Sequence, residues 1–223
     1  MPFMNSVERV FAFATLPAAP APPGVDIKVA GNGAANLSTT GMTVLSGVSG
    51  QDDAFAYVTL PFSFFFFGTD YGNSATNFYW NTNNVLGFGT GVNTITWTAS
   101  TGRGVLIGNA DRRTNTFYYS PLQTASGYNY INFVLFAQNN YNDGVPNAIQ
   151  WQIRMFRSAS IQYIEVRAST APSTAGSYNI TNGTTFQNTF SGFTNVTAGS
   201  SFVLQSDGNG NNWQFFNNYR IPI

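Results

Sequence analysis

The sequence predicts an all-β chain, an antiparallel two-sheet β-sandwich, and three observations carry that expectation. From Val25 onward, short runs of β-branched and aromatic residues alternate with Gly, Asn, Ser and Thr turns. Helix material is scarce, because two Glu and one Lys in 223 residues leave nothing from which to build surface helices laced with Glu/Lys pairs. The third is the stretch Leu60 to Gly91, where Phe62, Phe64 and Phe66 fall on one face of an extended segment and Ser63, Phe65 and Phe67 on the other. Burying those five rings returns about 8 to 15 kcal/mol gross, so the segment belongs in a core.

The elements follow in order. Residues 1 to 24 form an extended Pro/Ala-rich arm, with proline at 2, 17, 20, 22 and 23 removing backbone donors and favouring extended conformers. The run Val10 to Leu16 is too short and lacks the basic start of a secretory signal. Such an arm gains order only from outside itself, with Phe3, Phe11, Phe13 and Leu16 as anchors onto another subunit or a sheet edge. Residues 25 to 223 form a single domain, with strands expected at 42–48, 55–60, 62–67, 77–81, 84–88, 92–98, 104–108, 115–120, 128–137, 148–157, 160–168 and 200–205. Asn83-Asn84 tolerates positive φ and makes the turn between two of them. In the hairpin 147–168, Ile149, Trp151, Ile153 and Met155 alternate with Gln150, Gln152 and Arg154, while Ile164 and Val166 alternate with Glu165 and Arg167. That pattern predicts one buried and one wet face. Tyr128 to Ala137 is apolar on both sides apart from Asn129 and Asn132 and is placed mid-sheet. Residues 169 to 199 read as surface loops with weak edge strands.

The same residues carry a resemblance. The strand opening Leu60-Pro61-Phe62, its ending Phe66-Phe67-Gly68-Thr69 with Tyr71, the aromatic run Phe78-Tyr79-Trp80, and Asn83-Asn84-Val85-Leu86 with Phe88-Gly89 resemble the opening of nidogen-type extracellular β-domains. The family pattern has Asn-Gly before its Leu-x-Phe strand, where this chain has Asn83-Asn84. Ile107 to Arg113 followed by Thr116 to Tyr119 resembles the family's acidic loop and aromatic strand, and 147–153 followed by 161–165 resembles its Asn-x-Phe-Gln hairpin. The resemblance spans roughly residues 52 to 168 and implies a β fold and an extracellular adhesion role.

Composition narrows the chemistry. Charged residues make up 8%, far below the roughly 25% usual for soluble domains. Nine basic residues balance nine acidic ones, which leaves no electrostatic footprint for nucleic acid. Histidine and cysteine are absent, which removes disulfides, thiolate or imidazole metal sites and Cys or His catalysis. No stretch reaches the roughly 20 apolar residues of a membrane span. Paired carboxylates are the one catalytic template left, and Asp52, Asp53, Asp70, Asp111, Asp143 and Glu165 have no diagnostic spacing, so no enzyme and no cofactor is expected. Two weak Ca²⁺ sites stay open: Asp207 to Asn212, which resembles half a calcium loop but lacks its later glycine and Glu, and a convergence of Asp52, Asp53 and Asp111. Arg112 and Arg113 read as a solvated loop paired with Asp111, with an anionic partner as the alternative. The four sequons, at Asn36, Asn179, Asn182 and Asn195, are no more than chance gives in a chain so rich in Asn, Ser and Thr.

Low charge, abundant amides and aromatics, and the absence of a recognisable signal or anchor suit a subunit covered by neighbours. The expectation is a viral minor capsid or capsid-surface protein, resident in the virion and contacting other capsid proteins or copies of itself. The alternative is an extracellular adhesion or carbohydrate-binding module, in which exposed aromatics and amides contact glycans.

Overall fold

The structure, a computed structural model, describes residues 26–187, 190, 193 and 195–223. The predicted arm, with Phe3, Phe11, Phe13 and Leu16, lies outside them. Four short strands open the described chain: β1 (Val29–Ala30), β2 (Thr43–Val44), β3 (Gln51–Asp52) and β4 (Phe55–Tyr57). The aromatic stretch supplies β5 (Phe65–Phe66), β6 (Thr69–Asp70), β7 (Phe78–Asn81) and β8 (Val85–Phe88). The longest strands follow: β9 (Arg103–Asn109), β10 (Arg113–Tyr119), β11 (Gln123–Ala125), β12 (Tyr128–Ala137), β13 (Ile149–Arg157) and β14 (Ile161–Ala168). Then come β15 (Ser177–Asn182), β16 (Phe186–Gln187), β17 (Ser201–Asp207), β18 (Gln214–Asn217) and β19 (Tyr219–Arg220). No helix occurs among the described residues, so none is long and apolar enough to cross a membrane.

The chain is an antiparallel β-sandwich. One sheet has nine strands, on the path β18-β17-β14-β13-β12-β10-β2 with β11 beside β12 and β3 beside β10; the other has six, β16-β15-β9-β8-β7-β4. Their facing sides make one core: Trp80 stacks on Phe117 with centroids 4.6 Å apart, and Phe78 meets Phe133 at 5.9 Å. β12 lies mid-sheet between β10 and β13, where its near-continuous apolar pattern is satisfied by neighbours on both sides. In the six-stranded sheet Tyr79 lies directly across from Gly87, and a Cβ there would come 2.0 Å from the ring. Only glycine leaves room for that tyrosine.

The 62–67 stretch departs from its expected course. Phe62, Phe64 and Phe66 are buried, but only Phe65–Phe66 is strand, paired with Thr69–Asp70 across a turn whose central residues, Phe67 and Gly68, have φ of 49° and 75°. Two positive φ values in a two-residue hairpin make a tight turn that reverses the chain before a longer strand can form. The hairpin then finds its partners elsewhere. Phe67 N donates to Gly210 O and Gly68 N to Asn209 O. The fully buried Gln162 side chain accepts from Phe65 N (2.7 Å) and donates to Phe65 O (2.9 Å), taking the place of a neighbouring peptide group. Phe64 and Phe66 then close over Phe88 and Trp213.

Four further departures have clear causes. Residues 92–98 form a loop rather than a strand, because Asn81 Nδ2 and Asn83 Nδ2 capture Val92 O and Thr94 O, and Trp97 packs on the outer face of the six-stranded sheet with Tyr79, Val85 and Leu106. The 42–48 strand stops at Val44, where Val48 N and Ser49 N turn back to Leu45 O. The 55–60 strand stops at Tyr57, shortly before Pro61, which cannot donate to a ladder. Residues 177–182, expected in a region of loops and weak edges, form a six-residue strand against β9 that buries Tyr178 and Ile180.

The hairpin β13–β14 pairs Met155 with Ile164 and Arg154 with Glu165, so the apolar and polar positions of the two strands meet as the alternation expects. Its polar face is not wet: Gln152, Arg154 and Glu165 are buried. Segments from both ends of the described chain, zipped together as β1 and β19, lie across that face as a strap. Beneath it a second apolar cluster gathers Tyr128, Phe156, Tyr163, Val203 and Ile221.

Candidate functional site

Two places gather polar groups. At one end of the sandwich, β3 brings Asp52 opposite Arg113, Asp53 follows with φ of 47°, and the β9–β10 turn supplies Asp111. One carboxylate oxygen from each lies within 4.8 Å of the others. Asn83 Nδ2 donates to Asp53 Oδ1 at 2.9 Å, while Asp52 Oδ1 is buried without a donor. Partial burial, and then the charges of Asp53 and Asp111, push the Asp52 carboxyl above its ordinary pKa. Three hard oxygens so close together are half of the six or more that Ca²⁺ takes. The sequence-predicted convergence is therefore present, although the sequence alone did not establish it. The second candidate, Asp207, is a turn: its Oδ1 accepts from Asn209 N and Asn211 N, both at 3.0 Å.

Arg112 and Arg113 correct another expectation. Among the described residues neither forms an ion pair with Asp111. Arg112 is completely buried and donates to Gly108 O (2.8 Å), Asn139 O (2.6 Å) and Thr174 O (3.0 Å). Burial pulls its guanidinium down to about 10. It is a clamp for three loops, and no anionic partner can reach it. Arg113 donates to Gly50 O.

The second gathering lies on the outer face of the nine-stranded sheet beside the strap. Glu165, fully buried, accepts from Arg154 Nε (2.6 Å), Arg167 Nε (2.9 Å) and Ile221 N (2.7 Å). Arg154 spends its other groups on Ile221 O and Ile223 O, and Arg167 on Ala34 O and Ile221 O. Burial lowers the Arg154 pKa and the Glu165 charge opposes that shift. Next to this network opens a cavity of about 510 Å³, walled by the 36–42 segment, the 120–123 loop, and Tyr130, Asn132 and Gln152 on the sheet. Gln152 Nε2 donates to Asn132 Oδ1, and Gln152 Oε1 accepts from Asn36 N, each at 3.0 Å. The cavity lining holds no Asp or Glu.

This cavity was missed in the sequence. Its signal was present, in that Gln150, Gln152, Arg154, Glu165 and Arg167 share one hairpin face; what hid it was the strap, whose two halves reach that face from 133 positions before it, at Ala34, and 56 positions after it, at Ile221. Comparison of the chain with protein-family models, with curated proteins and with solved structures finds no match.

Proposed function

We propose that the chain is a non-enzymatic structural protein of a large assembly, a viral minor capsid or capsid-surface protein that works through contacts with other capsid proteins or with copies of itself. The observation that supports it is the charge-poor surface. Eighteen formal charges serve 223 residues, and Arg112, Arg154 and Glu165 are withdrawn into the interior. What remains outside is mostly amide, hydroxyl and apolar, with a few scattered charges such as Asp70, Asp111 and Asp207. Val44 on β2 and Phe186 on β16, both edge strands, are 45% and 39% exposed. A surface with so little self-repulsion and with apolar groups at its open edges favours association.

The test is deletion of residues 1–24. The truncated chain keeps the cooperative melt of the sandwich and no longer enters the particle. Normal assembly of the truncated chain overturns the assembly role, and so does a protease-resistant arm in the isolated full-length chain. An extracellular adhesion or carbohydrate-binding module is the second reading, favoured by the amide- and hydroxyl-lined cavity and by the nidogen-type pattern. Secretion of the full-length chain in a glycan-binding form without any particle would favour it.

A further inference from the structure

We propose that the cavity beside the strap is a binding site for a neutral saccharide of one or two pyranose units. Its volume, about 510 Å³, falls within the roughly 300 to 1,000 Å³ of ligand pockets. The walls decide the chemistry. Asn36, Asn132, Gln123 and Gln152 offer amides, Ser38 and Thr40 offer hydroxyls, and Tyr130 gives a half-buried aromatic wall. Such a lining matches a ligand that carries many hydroxyl groups on an apolar ring, and it repels a purely hydrophobic one.

Charge decides between a neutral and an acidic sugar. Arg154 and Arg167 border the cavity, yet each already donates from all three of its nitrogens, to the Glu165 carboxylate and to the carbonyls of Ala34, Ile221 and Ile223. Glu165 offsets one of the two positive charges from behind and the hydrogen bonds hold both guanidiniums as walls, so a carboxylate ligand would have to disturb a buried ion network to pair with them. The sheet side of the cavity is also preorganised. Gln152 is fixed between Asn132 and Asn36 N, which leaves its second amide hydrogen and the Asn132 Nδ2 group to face a ligand. Preorganised donors lose little entropy on binding. The site does not depend on the assembly reading, because a capsid surface and an adhesion module use the same chemistry.

The test uses the full-length chain and two-dimensional NMR titration with glucose, galactose, N-acetylglucosamine and lactose, and with glucuronic acid as the charged probe. At least one neutral sugar shifts resonances of Tyr130, Asn132 and Gln152 with a Kd in the millimolar range, and glucuronic acid binds more weakly. Thr40→Trp fills the mouth from an exposed position and lowers affinity about tenfold or more; Asn132→Ala does the same. Both variants are checked by thermal melts, and Phe186→Ala on the other sheet leaves binding unchanged. The proposal is overturned if no neutral sugar shifts these resonances, if glucuronic acid binds more tightly, or if folded Thr40→Trp protein binds as well as the parent.

Discussion

The two faces of the nine-stranded sheet are buried by different means. Its inner face presents Phe117, Ile131, Phe133, Leu135, Trp151, Ile153 and Met155 to a second sheet, and the fit is one of ring against ring. The outer face presents Gln152, Arg154 and Glu165 to a strap only a few residues wide, closed by charge and backbone hydrogen bonds beside a smaller apolar cluster around Tyr163 and Ile221. Apolar burial is non-directional and tolerates substitution of similar volume, whereas a buried ion network tolerates the loss of no single member. The same sheet thus has one forgiving side and one brittle side.

The sharpest way to break this contrast is Glu165→Gln, which strands two guanidiniums under the strap. It costs about 3 to 5 kcal/mol in chemical denaturation, and the double change Arg154→Met with Glu165→Leu costs less than the single one. If the single change is nearly neutral, the outer face is not held by charge. Gln162→Leu comes next, at about 1 to 3 kcal/mol, since it leaves the Phe65 peptide groups without partners. On the inner face, Phe133→Leu costs less than about 1.5 kcal/mol.

Alkaline pH adds a test of the interior as a whole. Burial raises the phenol pKa values of Tyr79, Tyr163 and Tyr178, the last to about 12. The unfolded chain gives up those protons near pH 10 while the folded chain keeps them, so stability falls as pH rises above 10. Arg112 works in the opposite sense, because its folded guanidinium loses its proton first and gains stability over the same window. Arg154 and Arg157, lowered less by burial, act in the same sense as Arg112, but an unfolded tyrosine titrates at about pH 10, inside the window, so melts at pH 9, 10 and 11 should show a net decline that Tyr178→Phe makes shallower. The smallest effect is at Asp52. Its folded pKa is raised, so the ionised form opposes folding at neutral pH and the opposition fades as pH falls below that pKa. Asp52→Asn therefore raises the melting temperature at pH 7 and changes it less at pH 3, unless added Ca²⁺ stabilises the parent protein and not the variant.

What the sequence made legible was what lies within one hairpin. The alternation in 149–168 set both the strands and the face each side chain takes, and Asn84, with φ of 61°, turns the chain between β7 and β8 as expected. What it hid depends on distant partners. Phe65 looked like the middle of a long strand because nothing local announces that Gln162 will stand in for the neighbouring peptide. Arg112 looked solvated because its three acceptors are main-chain carbonyls, and carbonyls leave no trace in a pattern of side chains. Asp52, Asp53 and Asp111 do meet, but only because β3 joins the edge of β10.

The pairing of Val29 with Arg220 and Ala30 with Tyr219 has a mechanical consequence. These two strands run antiparallel with residues 26 and 223 leaving the fold on the same side. Tension applied between those points therefore loads the ladder one hydrogen bond at a time, as a zipper, and not all at once in shear. The strap peels first, once the bonds from Arg154, Arg167 and Glu165 to Ala34, Ile221 and Ile223 give way, exposing Glu165 and the cavity wall while the two main sheets stay closed. A pull on its ends would turn this domain into a two-stage extensible link, the first stage set by the ladder and the ion network under the strap and the second by the aromatic core.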